Sequence, residues 1–255
     1  TSKLRADHFR YITGFIFPKF TTKNSIAYLE YTKRISEKYN EVLYAMPILE
    51  SEAIVYKETR IQELINIKQI IDDYSDIILN IRVGGTDFSS KFGLRRSIDS
   101  SIYNVRVVSD CLIDIINMFS RDGEDYVISA PVWEYFSEDI KSKEVSGLIN
   151  EIKSDKENGF CGKTIIHPSQ IKYVNSLYTV TYEEYIDAKS IISSLEDGGV
   201  FKGYGGNKMN EVKPHFNWAK KVMNRAEIFG VLNEGISYEE LYKESNFSSK
   251  SIEVL

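Results

Sequence analysis

The sequence predicts an α/β fold assembled from βα units, and three observations carry that expectation. Short β-rich runs alternate with longer stretches of helical periodicity, the rhythm of parallel strands joined by crossover helices. Two acidic residues, Glu50 and Asp87, each close an apolar run of the kind a buried parallel strand shows. The 255 residues suffice for one α/β barrel or open sheet with a large core.

The first strand is expected from Tyr11 to Phe17, ending at Pro18-Lys19, with a helix after it that places Ile26, Leu29, Ile35 and Tyr39 on one face. The second runs from Val42 to Leu49 and ends at Glu50. A helix with Ile61, Leu64, Ile65, Lys68 and Ile71 at three- and four-residue spacing follows it. The third, Ile77 to Thr86, ends at Asp87 and leads through a rim loop bearing Arg95 and Arg96 to a helix presenting Val105, Val108, Leu112, Ile115, Ile116 and Phe119. Tyr126 to Ala130 forms a fourth strand, ending at Pro131-Val132-Trp133-Glu134. A helix around Val145, Leu148, Ile149 and Ile152 precedes the last strand, Phe160 to Ile166, and the turn His167-Pro168. Beyond Pro168 the pattern is helical through Val174 and Leu177. Thr181-Tyr182-Glu183-Glu184 and Ser237-Tyr238-Glu239-Glu240 are capping boxes that each open a helix. Between them the glycines from Gly198 to Gly206 mark a mobile loop, and the tail is helical again from Pro214. The expected division is a barrel domain over 1–196 and a lid or oligomerisation segment over 197–255. Five strands fall short of the eight a closed barrel needs, so either the sheet is open or the first strands lie upstream.

Composition narrows the partners. The net charge is −5 with both signs interspersed, and the absence of a basic stripe argues against nucleic acid. Cys111 and Cys161 sit apart inside expected core elements, which fits a reduced, cytoplasmic protein. No apolar run approaches the ~18 residues of a membrane span, and the charged segment Thr1 to Arg10 carries no signal-peptide pattern.

The C-terminal rim of parallel strands is where such folds carry their chemistry. Carboxylates there on two neighbouring strands, with glycines beside one, suggest a divalent cation and an anionic substrate; the bland alternative is a pair of solvated rim carboxylates. Gly84 and Gly85 either let backbone N–H groups approach an anion or make a tight turn. Lys19 would pair with a substrate carboxylate or phosphate, or merely cap the rim. Glu134 is a ligand, a polar contact or a structural residue, and His167 is a base or a turn residue. Arg95 and Arg96 would clamp an anion or serve as surface arginines.

The stretch Gly159-Phe160-Cys161-Gly162-Lys163-Thr164-Ile165-Ile166-His167-Pro168-Ser169-Gln170-Ile171 resembles the last barrel strand of the citrate lyase beta-subunit-like family. Phe17-Pro18-Lys19, Pro47-Ile48-Leu49-Glu50-Ser51 and Gly84-Gly85-Thr86-Asp87-Phe88 resemble, in order, its L-P-K strand and its two metal-ligand strands. Lys208-Met209-Asn210-Glu211 with Pro214 is similar to its lid segment. Gly93-Leu94-Arg95-Arg96-Ser97 and Pro131-Val132-Trp133-Glu134-Tyr135-Phe136 resemble a divergent branch of TIM-barrel C–C bond lyases, whose members tend to be encoded near tellurite-resistance genes.

The resemblance implies a (β/α)8 TIM barrel whose first three strands, with a carboxylate-binding arginine, lie upstream of this chain. It implies Mg2+ on Glu50 and Asp87, with Lys19, Gly84, Gly85, Thr86 and Glu134 as substrate contacts. The lid acid–base residue falls on Glu211 or Asn210, and only Glu211 can titrate. The implied activity is Mg2+-dependent C–C bond cleavage of a 2-oxo acid or hydroxyacyl thioester, in a homo-oligomer. The alternative is a barrel that binds an anionic ligand or a partner without turnover.

Overall fold

Five short strands pair in sequential order, all parallel: β1 (Gly14–Phe17), β2 (Tyr44–Leu49), β3 (Ile81–Val83), β4 (Ile128–Ala130) and β5 (Gly162–Lys163). The sheet is not closed into a barrel among the described residues, which in this computed structural model are 6–124, 126–196, 198–243 and 252–253. Side chains alternate across a strand, so each strand has one face toward the helices and one away. Along β2, Ala45, Pro47 and Leu49 are buried, while Tyr44, Met46 and Ile48 are half-buried on the opposite face.

The helices between the strands are α1 (Ser25–Tyr39), α2 (Glu52–Val55), α3 (Lys57–Asp73), α4 (Gly85–Ser90), α5 (Arg106–Phe119) and α6 (Lys143–Glu157). Leu29, Leu64, Ile67, Ile71, Val108, Leu112, Ile115 and Phe119 form one core with Ala45, Leu49, Ile81, Val83, Ile128 and Ala130. The stripe on α3 is offset from the expected one: Arg60, Leu64, Ile67 and Ile71 are buried, and Ile61 and Ile65 face solvent. Ile26 on α1 is likewise exposed. A three–four repeat can begin at Arg60 or at Ile61, and the burial of the Arg60 side chain, bonded to the Ile54 and Val55 carbonyls, goes with the first.

Two further expectations are corrected. The third strand is shorter than its apolar run, because Ser75–Ile77 is a 3-10 turn and the chain enters α4 at Gly85. Asp87 therefore sits in the first turn of a helix. Cys161 is exposed beside β5, whereas Cys111 is buried on α5.

The chain divides into compact units at Thr1–His167 and Pro168–Leu255, not at 196/197. The helices α7 (Ile171–Tyr178) and α8 (Tyr182–Ser193) belong to the second unit. So do β6 (Val200–Lys202), β7 (Met209–Glu211), α9 (Val212–Phe229), β8 (Val231–Leu232), α10 (Tyr238–Lys243) and β9 (Ile252–Glu253). Val180, Ala188, Ile191, Ala219, Val222, Ala226 and Val231 make its core, which explains the earlier boundary: α8 buries its apolar face against α9.

The glycine-rich stretch is a hairpin, with β6 and β7 antiparallel and Val200 opposite Glu211. Asp187 on α8 anchors it, accepting from the Tyr204 N–H at 2.7 Å and Asn210 Nδ2 at 3.0 Å and pairing with Lys208 at 2.7 Å. Among the described residues no helix is long and apolar enough to cross a membrane. Residues 1–5 of the charged opening segment lie outside those described.

Candidate metal and substrate site

Leu49 ends β2 on the helix-facing side, so alternation turns the next residue, Glu50, to the other side at the C-terminal end of the sheet. Phe17-Pro18 ends β1 alongside, and Lys19 takes a left-handed backbone (φ 51) that aims its N–H at Glu50 Oε1, 2.8 Å away. The Lys19 ammonium reaches across to Asp87 Oδ1 at 2.9 Å. Three residues from three consecutive βα units thus meet at one rim.

The glycines explain how the carboxylates come so close. A Cβ on Gly84 would lie 2.4 Å from Glu50 Cβ and 2.5 Å from Glu50 Oε2, so any side chain there would displace the glutamate. The Gly84 N–H donates to the Leu49 carbonyl at 3.1 Å, so this group serves the sheet and not an anion; what Gly84 supplies is room. Gly85 packs on Pro131, whose Cβ would be 2.8 Å from an added one. Thr86 is exposed beside Asp87.

Burial pushes the Glu50 carboxyl above its ordinary range, opposed by the Lys19 N–H and reinforced by the adjacent Asp87 carboxylate. Lys19 is raised in turn, chiefly by its hydrogen bond to Asp87 and then by the Asp87 and Glu50 charges. Two oxygen donors whose charges oppose one another fit a hard cation. Mg2+ is commonly held by one or two carboxylates, with water and substrate completing its octahedron. Among the described residues no group of three or more His, Cys, Asp and Glu is arranged to hold a metal, so a site here rests on that pair.

Arg82 on β3 was legible only as part of an apolar run. Its guanidinium is half-buried and reaches over β4 to Thr164 Oγ1, at 3.3 Å from Nε and 3.2 Å from Nη2. Burial lowers its pKa, and the Glu50 charge opposes that fall.

The structure does not bring Arg95 and Arg96 together as an anion clamp. Arg96 is buried, donating from Nε to Glu134 at 2.7 Å and pairing with Glu151 beneath Trp133, whose ring lies 4.7 Å from the guanidinium carbon. Glu134 is thereby engaged by a protein cation. Lys163 of the Gly-Lys motif is also internal, donating to the Pro131 carbonyl at 2.8 Å and to Asp155 at 2.7 Å. Glu151 and Asp155, four apart on the buried stripe of α6, were the sequence signal for this network. His167 stacks on Phe136 with ring centroids 4.1 Å apart.

In the second unit, Asn210 is buried and committed to Asp187, so of the two lid candidates Glu211 remains. Glu211 is the N-cap residue of α9, and its backbone N–H donates to His215 Nδ1 at 3.0 Å.

Comparison with known proteins adds the following. The profile of the family described as C–C bond lyase of the TIM-barrel fold matches residues 2–231. Citrate lyase subunit beta of Escherichia coli K12 is 30% identical over 92 residues, 35% of this chain and 30% of that protein. The same subunit from Escherichia coli O6:H1 strain CFT073 matches with the same identity and coverage. Among solved structures, a citrate lyase from Burkholderia xenovorans LB400 aligns with a TM-score of 0.61 at 14% identity, covering 85% of this chain and 64% of that one. CitE from Mycobacterium tuberculosis, in complex with magnesium, acetoacetate and coenzyme A, aligns with a TM-score of 0.51 at 20% identity, covering 84% and 68%. The alignment thus spans under a third of the curated relatives and about two thirds of the solved chains.

Proposed function

We propose that this chain, which belongs to the C–C bond lyases of the TIM-barrel fold, cleaves a carbon–carbon bond in a 2-oxo acid or hydroxyacyl thioester with Mg2+ at Glu50 and Asp87. The observation that supports it is the convergence of those carboxylates at one rim, with Gly84 cleared for Glu50. Magnesium, acetoacetate and coenzyme A on CitE are consistent with this substrate class.

In this reading Glu50 and Asp87 would hold the cation, whose chemistry when bound is Lewis-acid stabilisation of an enolate oxygen. Lys19 keeps Glu50 oriented through its backbone N–H, and its exposed ammonium, paired with Asp87, would turn to a substrate carboxylate. Gly85 and Thr86 form the wall beside Asp87, and Glu134 is retained as a polar contact that must share its charge with Arg96. Glu211 is proposed as the acid–base residue, in a cytoplasmic homo-oligomer.

Calorimetric titration with Mn2+ and Mg2+, joined to a screen of 2-oxo acids and hydroxyacyl thioesters for cleavage products, tests the reading. Glu50→Gln and Asp87→Asn are each expected to weaken metal binding by about two orders of magnitude and abolish turnover, each removing a charged ligand. Glu211→Gln should keep the metal and lose turnover. Undiminished metal affinity in both carboxylate variants would remove the metal assignment, and ligand binding without product would favour a non-catalytic barrel.

A further inference from the structure

Two non-glycine residues among those described take a left-handed backbone, Lys19 and Asn40, each with φ 51. Asn40 is the C-cap of α1, a position where that conformation satisfies helix carbonyls and asparagine accepts it readily. Lys19 caps no helix, and a lysine side chain gains nothing from the left-handed region, so the turn after β1 must be held there by its neighbours. Its N–H goes to Glu50 Oε1 at 2.8 Å, and the next N–H, from the buried Phe20, goes to the Ile48 carbonyl at 3.1 Å. The Lys19 carbonyl accepts from Asn24 Nδ2 at 3.0 Å, while Asn24 Oδ1 accepts the Thr21 N–H at 2.9 Å. A carbonyl on one side and an N–H on the other fix which way the amide is turned. Glu63, on α3, closes the turn by accepting the Thr22 N–H at 3.0 Å.

Asn24 is also the N-cap of α1, where an asparagine ordinarily accepts an N–H from the helix it opens. Its side chain makes no such bond; it turns back and braces the residues before it. With β1 on one side and the core residue Phe20 on the other, letting the Lys19 backbone relax would move its N–H, the Phe20 ring or both. We propose that Asn24 is a positioning residue of the rim site, locking the left-handed turn through which Lys19 hands its N–H to Glu50 and its ammonium to Asp87. That role rests on the proposed metal site for its purpose, whereas the lock itself is a property of the turn. A plain loop or capping residue is the competing account, and aspartate separates the two. Asn24→Asp keeps an oxygen facing Thr21 and is at least as good a partner for the start of α1, but it has no N–H for the Lys19 carbonyl.

The experiment is amide hydrogen exchange at Lys19, followed by NMR, with Mn2+ calorimetry and thermal melting of the same full chain. In Asn24→Asp the Lys19 amide is expected to exchange about tenfold faster or more and Mn2+ affinity to fall about three- to tenfold, with the melting temperature unchanged or raised. Neither change can come from the added charge, since a carboxylate near the site would by itself attract a cation and slow hydroxide-catalysed exchange. If that variant does not fold, Asn24→Ser decides by the same readouts, being a good cap whose short hydroxyl cannot span the Lys19 carbonyl and the Thr21 N–H. Wild-type exchange at Lys19 in the folded variant overturns the lock, whatever Mn2+ does. Faster exchange with wild-type Mn2+ affinity makes Asn24 a brace of the loop alone and overturns the positioning role. Should the wild-type chain bind no Mn2+, the metal site falls by itself: faster exchange then still supports the locked donor to Glu50, and unchanged exchange still overturns it.

Discussion

Gly84 is where one missing methyl group makes room for a candidate metal ligand. It stands where the sheet ends and the short helix carrying Asp87 begins, against the Glu50 side chain. Gly84→Ala is expected to cost about 1–3 kcal/mol through overpacking. It should also weaken Mn2+ binding more than this stability loss explains, because the displaced group is Glu50. Urea melts and Mn2+ titration of the same preparation check this, and a destabilised variant with wild-type metal affinity would refute it. The sequence showed the glycine pair and left open whether it bound an anion or made a turn. The neighbouring glutamate oxygen was invisible to it, since Glu50 is distant in the chain and near only through the parallel pairing of β2 and β3.

At the scale of elements, capping was the most legible signal. Thr181 and Glu184 form the expected box, with the Glu184 N–H donating to Thr181 Oγ1 at 3.2 Å and the Thr181 N–H to Glu184 Oε2 at 3.1 Å. Glu184 also pairs with Arg225 at 3.0 Å, tying the start of α8 to α9. Thr181→Ala should therefore cost ~1 kcal/mol and Glu184→Ala more, by urea denaturation. Equal costs would mean that the Arg225 pair contributes nothing. The glycine-rich hairpin was not legible, because its order comes from Asp187, a buried carboxylate on another element. Burial alone would push the Asp187 carboxyl up, yet Lys208, the Tyr204 N–H and Asn210 together hold it below its ordinary value.

Across the first unit, one buried ionic network joins segments that the chain separates widely. Glu151 Oε2 accepts the Ile102 N–H at 3.0 Å, and Asp155 accepts the Tyr103 hydroxyl at 2.8 Å. With Arg96 and Lys163 these contacts hold the 96–103 segment and the end of β4 to α6 and β5. Burial lifts the Asp155 carboxyl from 3.8 to about 6, outweighing the opposing Lys163 charge. The folded state then holds more protons than the unfolded chain between those values. Its contribution to stability accordingly falls as pH rises from about 4 through 6 and is flat above, by on the order of 2–3 kcal/mol in all. Asp155→Asn should remove that slope. Subtracting the variant's urea stability from wild type at intervals between pH 4 and 7.5 measures it, and parallel profiles would exclude the assignment.

What the sequence by itself determined is what short-range chemistry encodes. Apolar runs separated by periodic helices specified the parallel sheet, paired Thr-Glu and Ser-Glu spacings specified two helix starts, and ordered motifs specified the TIM-barrel lyase family. Tertiary structure alone decided the partners. It put Glu50 beside Asp87, withdrew Arg96 and Lys163 into carboxylate pairs, and gave Arg82 the Thr164 hydroxyl. The reason is physical: hydrophobic period and capping act within a few residues along the chain, whereas the value of a charge depends on which opposite charge the fold brings within reach.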